Sequence, residues 1–96
     1  MPAEPIAKYV ITAHAAFEMA RRGISEEMVS GVMSAPEQRL PVRTGRVVLQ
    51  SRVARGAEER AALVRVFVDV DRAPAEIVTV YATSKIAKYW SPSHES

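Results

Sequence analysis

The chain has 96 residues, enough for one domain with one modest core, and carries 13 Lys plus Arg against 11 Asp plus Glu, a net charge of only +2. That balance is too even to establish nucleic-acid binding from charge alone. The cations are nevertheless mostly arginine, whose fixed fork of donors suits phosphate, although genomic codon bias also produces Arg- and Ala-rich chains.

There is no cysteine, which excludes disulfides, thiolate catalysis and Cys-ligated zinc. No stretch approaches membrane-span length, and the N-terminus has no apolar run of signal-peptide type. A cytoplasmic protein without membrane contact is the expectation. Residues 1–96 read as a single domain: a loose arm over 1–10, a folded core over 11–90 and a frayed tail over 91–96.

Within the arm, "KYVI" suits a short extended piece. Thr12 is placed to cap a helix over Ala13–Arg22, its hydroxyl accepting from a first-turn amide. Ala13, Ala16, Phe17 and Ala20 share one side at helical spacing and are expected to face the core. Gly23 ends this helix, and Arg21 and Arg22 suit its negative end. Ser25 caps a second helix, "EEMVSGVMS", with Met28, Val29, Val32 and Met33 as its buried stripe and Pro36 as its stop.

The period then changes. "RVVLQSRV" (46–53), "ALVRVFVDV" (62–70) and "EIVTVYAT" (76–83) are Val- and Ile-rich alternating runs. A further strand over 38–43 is expected, confined to a sheet edge by Pro41, with Thr44 and Gly45 as the turn. In the 62–70 run, Val64, Val66, Val68 and Val70 share one face; Leu63, Arg65, Phe67 and Asp69 share the other. "SKIAKYW" closes as a short helix or turn. The fold class is α+β: two N-terminal helices packed on a three- to four-stranded antiparallel sheet, with a short C-terminal helix.

Two polar groupings stand out. His14, Phe17, Glu18 and Arg21 line one edge of the first helix. There His14 is either an acid/base group oriented by Glu18 or a boundary histidine bonded to backbone. Glu18 and Arg22 form an i, i+4 acid-before-base pair, a structural motif first. The last strand and its exit supply Thr79, Tyr81, Thr83, Ser84, Lys85, Lys88 and Tyr89. That row either donates to a phosphodiester, with Tyr81, Tyr89 and Trp90 as flat surfaces for bases, or reflects strand propensity and a solvated basic helix.

Arg43, Arg46, Gln50, Arg52 and Arg65 are the remaining polar strand residues. If Gln50, Arg52 and Arg65 share a face with Thr79 and Tyr81, that face is a platform for RNA. Neither metal nor cofactor is expected: His14 and His94 are the only histidines, and no clustered ligand motif or Gly-rich phosphate loop occurs.

"HAAFEMARRGIS", "VMSAPEQ" and "LVRVFVDVDRAPAEIVTVYATSKIAKYW" together resemble a group of small bacterial domains of unknown function. The likeness rests on a helix-borne histidine, an Arg-Gly-Ile-Ser junction and a TVYxTSKxxKYW-like end, and it runs from about His14 to Trp90. In element order such domains look similar to RelE-type toxins and their group of metal-independent ribonucleases. That resemblance implies cleavage of RNA on an open sheet face and a cognate antitoxin-like protein as partner. It implies His14 as acid/base, Arg22 and Lys85 as a phosphate clamp, and Thr79 and Tyr81 as orienting groups or second proton carrier. The RNA-binding set is then Arg43, Arg46, Arg52, Arg65, Lys88 and Tyr89. RelE-type toxins carry more basic charge than this chain. The alternatives are a non-catalytic RNA- or protein-binding module, or a dimerising domain using Met28, Met33 and Phe67.

Overall fold

The computed structural model describes residues 3–92. The element order is β1 (Tyr9–Ile11), α1 (Ala13–Arg22), α2 (Glu26–Ser34), β2 (Gln38–Arg43), β3 (Arg46–Arg55), β4 (Arg60–Asp69), β5 (Ala75–Thr83) and α3 (Ile86–Tyr89). The strands form one mixed sheet in the order β1-β5-β4-β3-β2. β2 to β5 form the expected antiparallel meander. β1 lies outside β5 and pairs with it in parallel, Tyr9 opposite Ala75 and Ile11 opposite Ile77. The sheet is therefore five-stranded and mixed rather than three- or four-stranded and antiparallel. The physical reason is the helical hairpin: it carries the chain from one edge of the sheet to the other, so β1 meets the last strand from outside.

The arm is tied down before β1 begins. The Ala3 N–H donates to the Pro36 carbonyl at 2.8 Å and the Ile6 N–H to Met33 at 3.0 Å, with Ile6 packed against the core. The extended piece expected in "KYVI" is the strand β1 itself.

Local chemistry fixes the helix ends. The Thr12 hydroxyl accepts from the Ala15 N–H at 3.2 Å and donates to the Ile77 carbonyl at 2.9 Å, so one side chain both starts α1 and seats it on β5. Gly23 adopts φ +67°; its N–H reaches the Ala20 carbonyl and the Ile24 N–H reaches Met19. This is the two-bond C-terminal motif that accompanies a left-handed residue, closed by contact between buried Met19 and Ile24. The Ser25 hydroxyl accepts from the Met28 N–H at 3.1 Å to start α2.

The core lies between the helix pair and the first face of the sheet. Ala15, Met19, Ile24, Val29, Val32 and Met33 pack on Leu49, Val64, Val66, Val68, Ile77 and Val80. The α2 stripe is as the sequence predicts. The α1 stripe is not: Ala13, Ala16, Phe17 and Ala20 are exposed, while Ala15, Glu18 and Met19 are buried. His14, Glu18, Arg21 and Arg22 gather on one side of α1, and its apolar residues, mostly alanines, spread over a wide sector opposite. Periodicity points the Ala16 and Phe17 part of that sector inward, but the sheet receives the part centred on Ala15 and Met19. Burial of a large side chain such as Met19 contributes roughly 1.5–3 kcal/mol. A helix-surface ion pair contributes only a few tenths, so packing sets which side faces in, and Glu18 is covered because both of its neighbouring cations neutralise it.

Candidate anion-binding site on the second sheet face

Strand alternation and register put Arg46, Val48, Gln50 and Arg52 of β3 on the sheet face away from the two long helices. Leu63, Arg65, Phe67 and Asp69 of β4 share it, as do Thr79, Tyr81 and Thr83 of β5. The shared face expected for Gln50, Arg52, Arg65, Thr79 and Tyr81 therefore exists. Gln38 pairs with Gln50, Gln50 with Arg65, and Arg65 with Tyr81, which lines up four polar side chains across four strands.

These four side chains are bonded in series. The Gln50 amide donates to Gln38 Oε1 at 2.7 Å. Arg65 Nε donates to Gln50 Oε1 at 2.8 Å, and another guanidinium nitrogen of Arg65 donates to the Tyr81 hydroxyl at 2.7 Å. Gln38 is 1% and Gln50 0% exposed, so each needs these partners. The segment after β5 folds back over this end of the row. The Tyr89 carbonyl accepts from Gln50 at 3.1 Å and the Ser91 carbonyl from Gln38 at 2.7 Å.

Arg65 is the unusual member. Its guanidinium carbon lies 4.5 Å from the Tyr89 ring centre, 5.2 Å from Phe67 and 5.7 Å from Tyr81. Phe67 and Tyr81 are stacked, and Tyr89 meets Tyr81 edge-on. Among the described residues no carboxylate pairs with Arg65, which is half-buried. Its Nη2 nitrogen and the Tyr81 O–H have no acceptor there. The Tyr81 oxygen accepts from a cation and so keeps its own hydrogen for a further acceptor. Two oriented donors thus stand side by side, a constellation suited to phosphate or carboxylate. Among the described residues the buried indole N–H of Trp90 also lacks an acceptor.

The other expected RNA contacts divide by partner. Arg46 is bound at 2.6 Å by Asp69, whose carboxyl is held below its usual range chiefly by that hydrogen bond. Arg52 pairs with Glu37 at 2.8 Å and stacks on Trp90 at 4.1 Å; its bonds likewise hold the Glu37 carboxyl low. Arg43 is exposed at the end of β2 and donates to the Thr44 carbonyl. Lys88 lies 5.3 Å from the Tyr89 ring centre.

His14 is exposed on α1, in the helix layer, and so lies across the sheet from the Tyr81 side chain. The geometry does not gather His14 with Thr79 and Tyr81. Arg22 is also in the helix layer, bonded to Glu18 at 2.8 Å and to the Val80 carbonyl at 2.8 Å, where short β1 leaves that edge of β5 unpaired. The Thr79 hydroxyl turns back to the Val78 carbonyl. Lys85 is exposed just before α3, its backbone N–H held by the Thr83 hydroxyl. His94 lies outside the described residues.

Gln38 and Phe67 were not among the candidate site residues. Their signal was a glutamine opening a strand and an aromatic two residues from an arginine on the same strand face; only the register brings them to the same site. No three His, Asp or Glu residues cluster as metal ligands among the described residues. No helix there is long and apolar enough to cross a membrane.

Nothing among the curated proteins or the solved structures matches this chain. One family model does match, described as a domain of unknown function, DUF4258, over residues 11–82. That span runs from the end of β1 into β5 and contains Gln38, Gln50, Arg65 and Tyr81; Tyr89 and Trp90 fall beyond it. Three-quarters of the chain lies inside the match, and the protein belongs to the DUF4258 family.

Proposed function

We propose that this protein is an RNA-binding module that takes single-stranded RNA on the second sheet face. Arg65 and Tyr81 hold a phosphate, and Tyr89 and Trp90 offer ring surfaces to neighbouring bases. The observation that carries the reading is Arg65 itself: a half-buried guanidinium, positioned by Gln50 and Tyr81 and ringed by three aromatics, with no carboxylate among the described residues. Burying such a charge is costly unless it is well solvated by partners. Hydrogen bonds and rings supply that solvation here and leave donors over. Arg43, Lys85 and Lys88 lie free of ion pairs among the described residues and extend the phosphate contacts. Arg46 and Arg52 are committed to carboxylates and contribute less.

The test is titration of a labelled single-stranded RNA at several salt concentrations, with Trp90, the only tryptophan, as fluorescence reporter. Arg65→Ala is expected to weaken binding on the order of tenfold and to reduce the salt slope by about one. Arg65→Lys should not restore it, because a single ammonium nitrogen does not reproduce the fixed fork in which Nε reaches Gln50, a second nitrogen reaches Tyr81 and a third stays available. Binding indifferent to Arg65, or no binding at low salt, removes the reading.

Cleavage is a second reading, favoured by the free Tyr81 O–H beside a cation. In it, the 2′-oxygen attacks phosphorus and gives its proton to solvent water, and the P–O5′ bond breaks to leave a 2′,3′-cyclic phosphate. Tyr81 gives its proton to the leaving 5′-oxygen and regains one from water, and a cognate antitoxin-like protein restrains the activity. RNA cleavage in chelator, abolished by Tyr81→Phe and unaffected by His14→Ala, would support it. Intact RNA would leave binding alone.

A further inference from the structure

α1 presents its most continuous apolar stripe to solvent. Ala13, Ala16, Phe17 and Ala20 are all exposed, and Phe17 is 65% exposed, the most exposed large hydrophobic among the described residues. A helix whose second apolar side faces water is unpartnered there. Beside that stripe runs a groove of about 380 Å³ lined by Ile11, Ala16, Met19, Ala20, Ile24 and Glu26. Alanines at 16 and 20 keep the groove open. Phe17, one step round the helix, points to the other side of the stripe and cannot fill it.

The flanks differ in charge. By helical geometry, residues 14, 17 and 21 share the Phe17 flank, so that flank carries His14 and Arg21. Arg21 is ion-paired to Glu18 at 2.6 Å but remains half-exposed, and because Arg22 shares the same carboxylate this side of α1 keeps one positive charge in excess. The groove's rim carries Glu26, which pairs with no cation among the described residues. A bulky apolar knob with a basic flank therefore lies beside an apolar groove with an acidic rim, and each is complementary to the other.

We infer that this face is a self-association surface whose occupant is a second copy of the chain. A two-fold axis parallel to α1 brings opposite flanks of the two helices together. Phe17 of each protomer then enters the groove of its partner between Ala16 and Ala20, and each Arg21 comes beside the partner subunit's Glu26. Both contacts occur twice, as an isologous interface requires. A two-fold perpendicular to the helices instead brings like flanks together and sets Arg21 against its own copy. The surface is in the helix layer, so the dimer leaves the Arg65 face open and does not depend on how that face is used.

Sedimentation equilibrium on the full chain, from low micromolar to several hundred micromolar, tests the proposal. The unaltered protein should show a concentration-dependent dimer. Phe17→Glu should raise the dissociation constant on the order of 100-fold, with an unchanged circular dichroism spectrum because Phe17 is not part of the core. Glu26→Arg should weaken the dimer about fivefold to tenfold, and Glu26→Arg with Arg21→Glu should recover most of that loss. A protein monomeric throughout the range, or a dimer untouched by Phe17→Glu, overturns it. Loss without recovery in the double variant overturns the parallel two-fold arrangement.

Discussion

Gln50 accepts from Arg65 at 2.8 Å through its side-chain oxygen and, through its nitrogen, donates to Gln38 at 2.7 Å. Gln50 is thus the link between the fully buried part of the row and the guanidinium that reaches the surface. Removing it leaves a buried carboxamide and a half-buried cation each short of a partner. Gln50→Ala is expected to lower unfolding free energy by about 1–3 kcal/mol and to weaken RNA binding in parallel. Urea denaturation measures the first, and a stability change under about half a kcal/mol, the size of an ordinary surface substitution, would show that the row is not held as a unit.

His14 gives the opposite expectation. It is exposed in the helix layer, with no role in packing the sheet. His14→Ala should change stability by less than about 0.5 kcal/mol and leave RNA affinity within twofold. A large loss of affinity would mean that RNA engages the helix layer rather than the Arg65 face.

Acid sensitivity follows from three carboxylates. Arg21 holds Glu18 below its usual range, mainly through a hydrogen bond; Arg52 does so for Glu37 and Arg46 for Asp69. Each group is a stronger acid folded than unfolded, so the unfolded chain binds more protons as pH falls. Their contribution is complete above the ordinary carboxylate values, roughly pH 4, and is lost as pH drops through the folded values. The urea midpoint should hold between pH 7 and 5 and fall steeply by pH 3. A midpoint that is flat down to pH 3 would contradict the linkage.

Two glycines should respond with opposite sign. Gly45 adopts φ +82°, and a Cβ there would stand 2.7 Å from Asp71 Oδ2. Gly45→Ala should cost about 1 kcal/mol or more. Gly31 lies in α2, and a Cβ there would meet nothing within 4 Å, so Gly31→Ala should stabilise by roughly 0.5–1 kcal/mol. Thermal unfolding of the pair checks this, and a like-signed response would break the argument.

What the sequence determined by itself is the set of elements and their punctuation. Thr12, Gly23 and Ser25 bound the helices because their cap chemistry is local, and the valines of β4 assign its two faces because strand alternation is local. Tertiary structure decided three things. α1 has a wide apolar sector opposite its charged side, and which part of that sector faces inward is settled only when Met19 and Ala15 meet the sheet. The extended piece in "KYVI" is legible, but its parallel place outside β5 is not, because only the folded sheet offers it that edge. The candidate site exists only through register, since residues 38, 50, 65 and 81 share no spacing along the chain, and pairing of four strands is what sets them in one row.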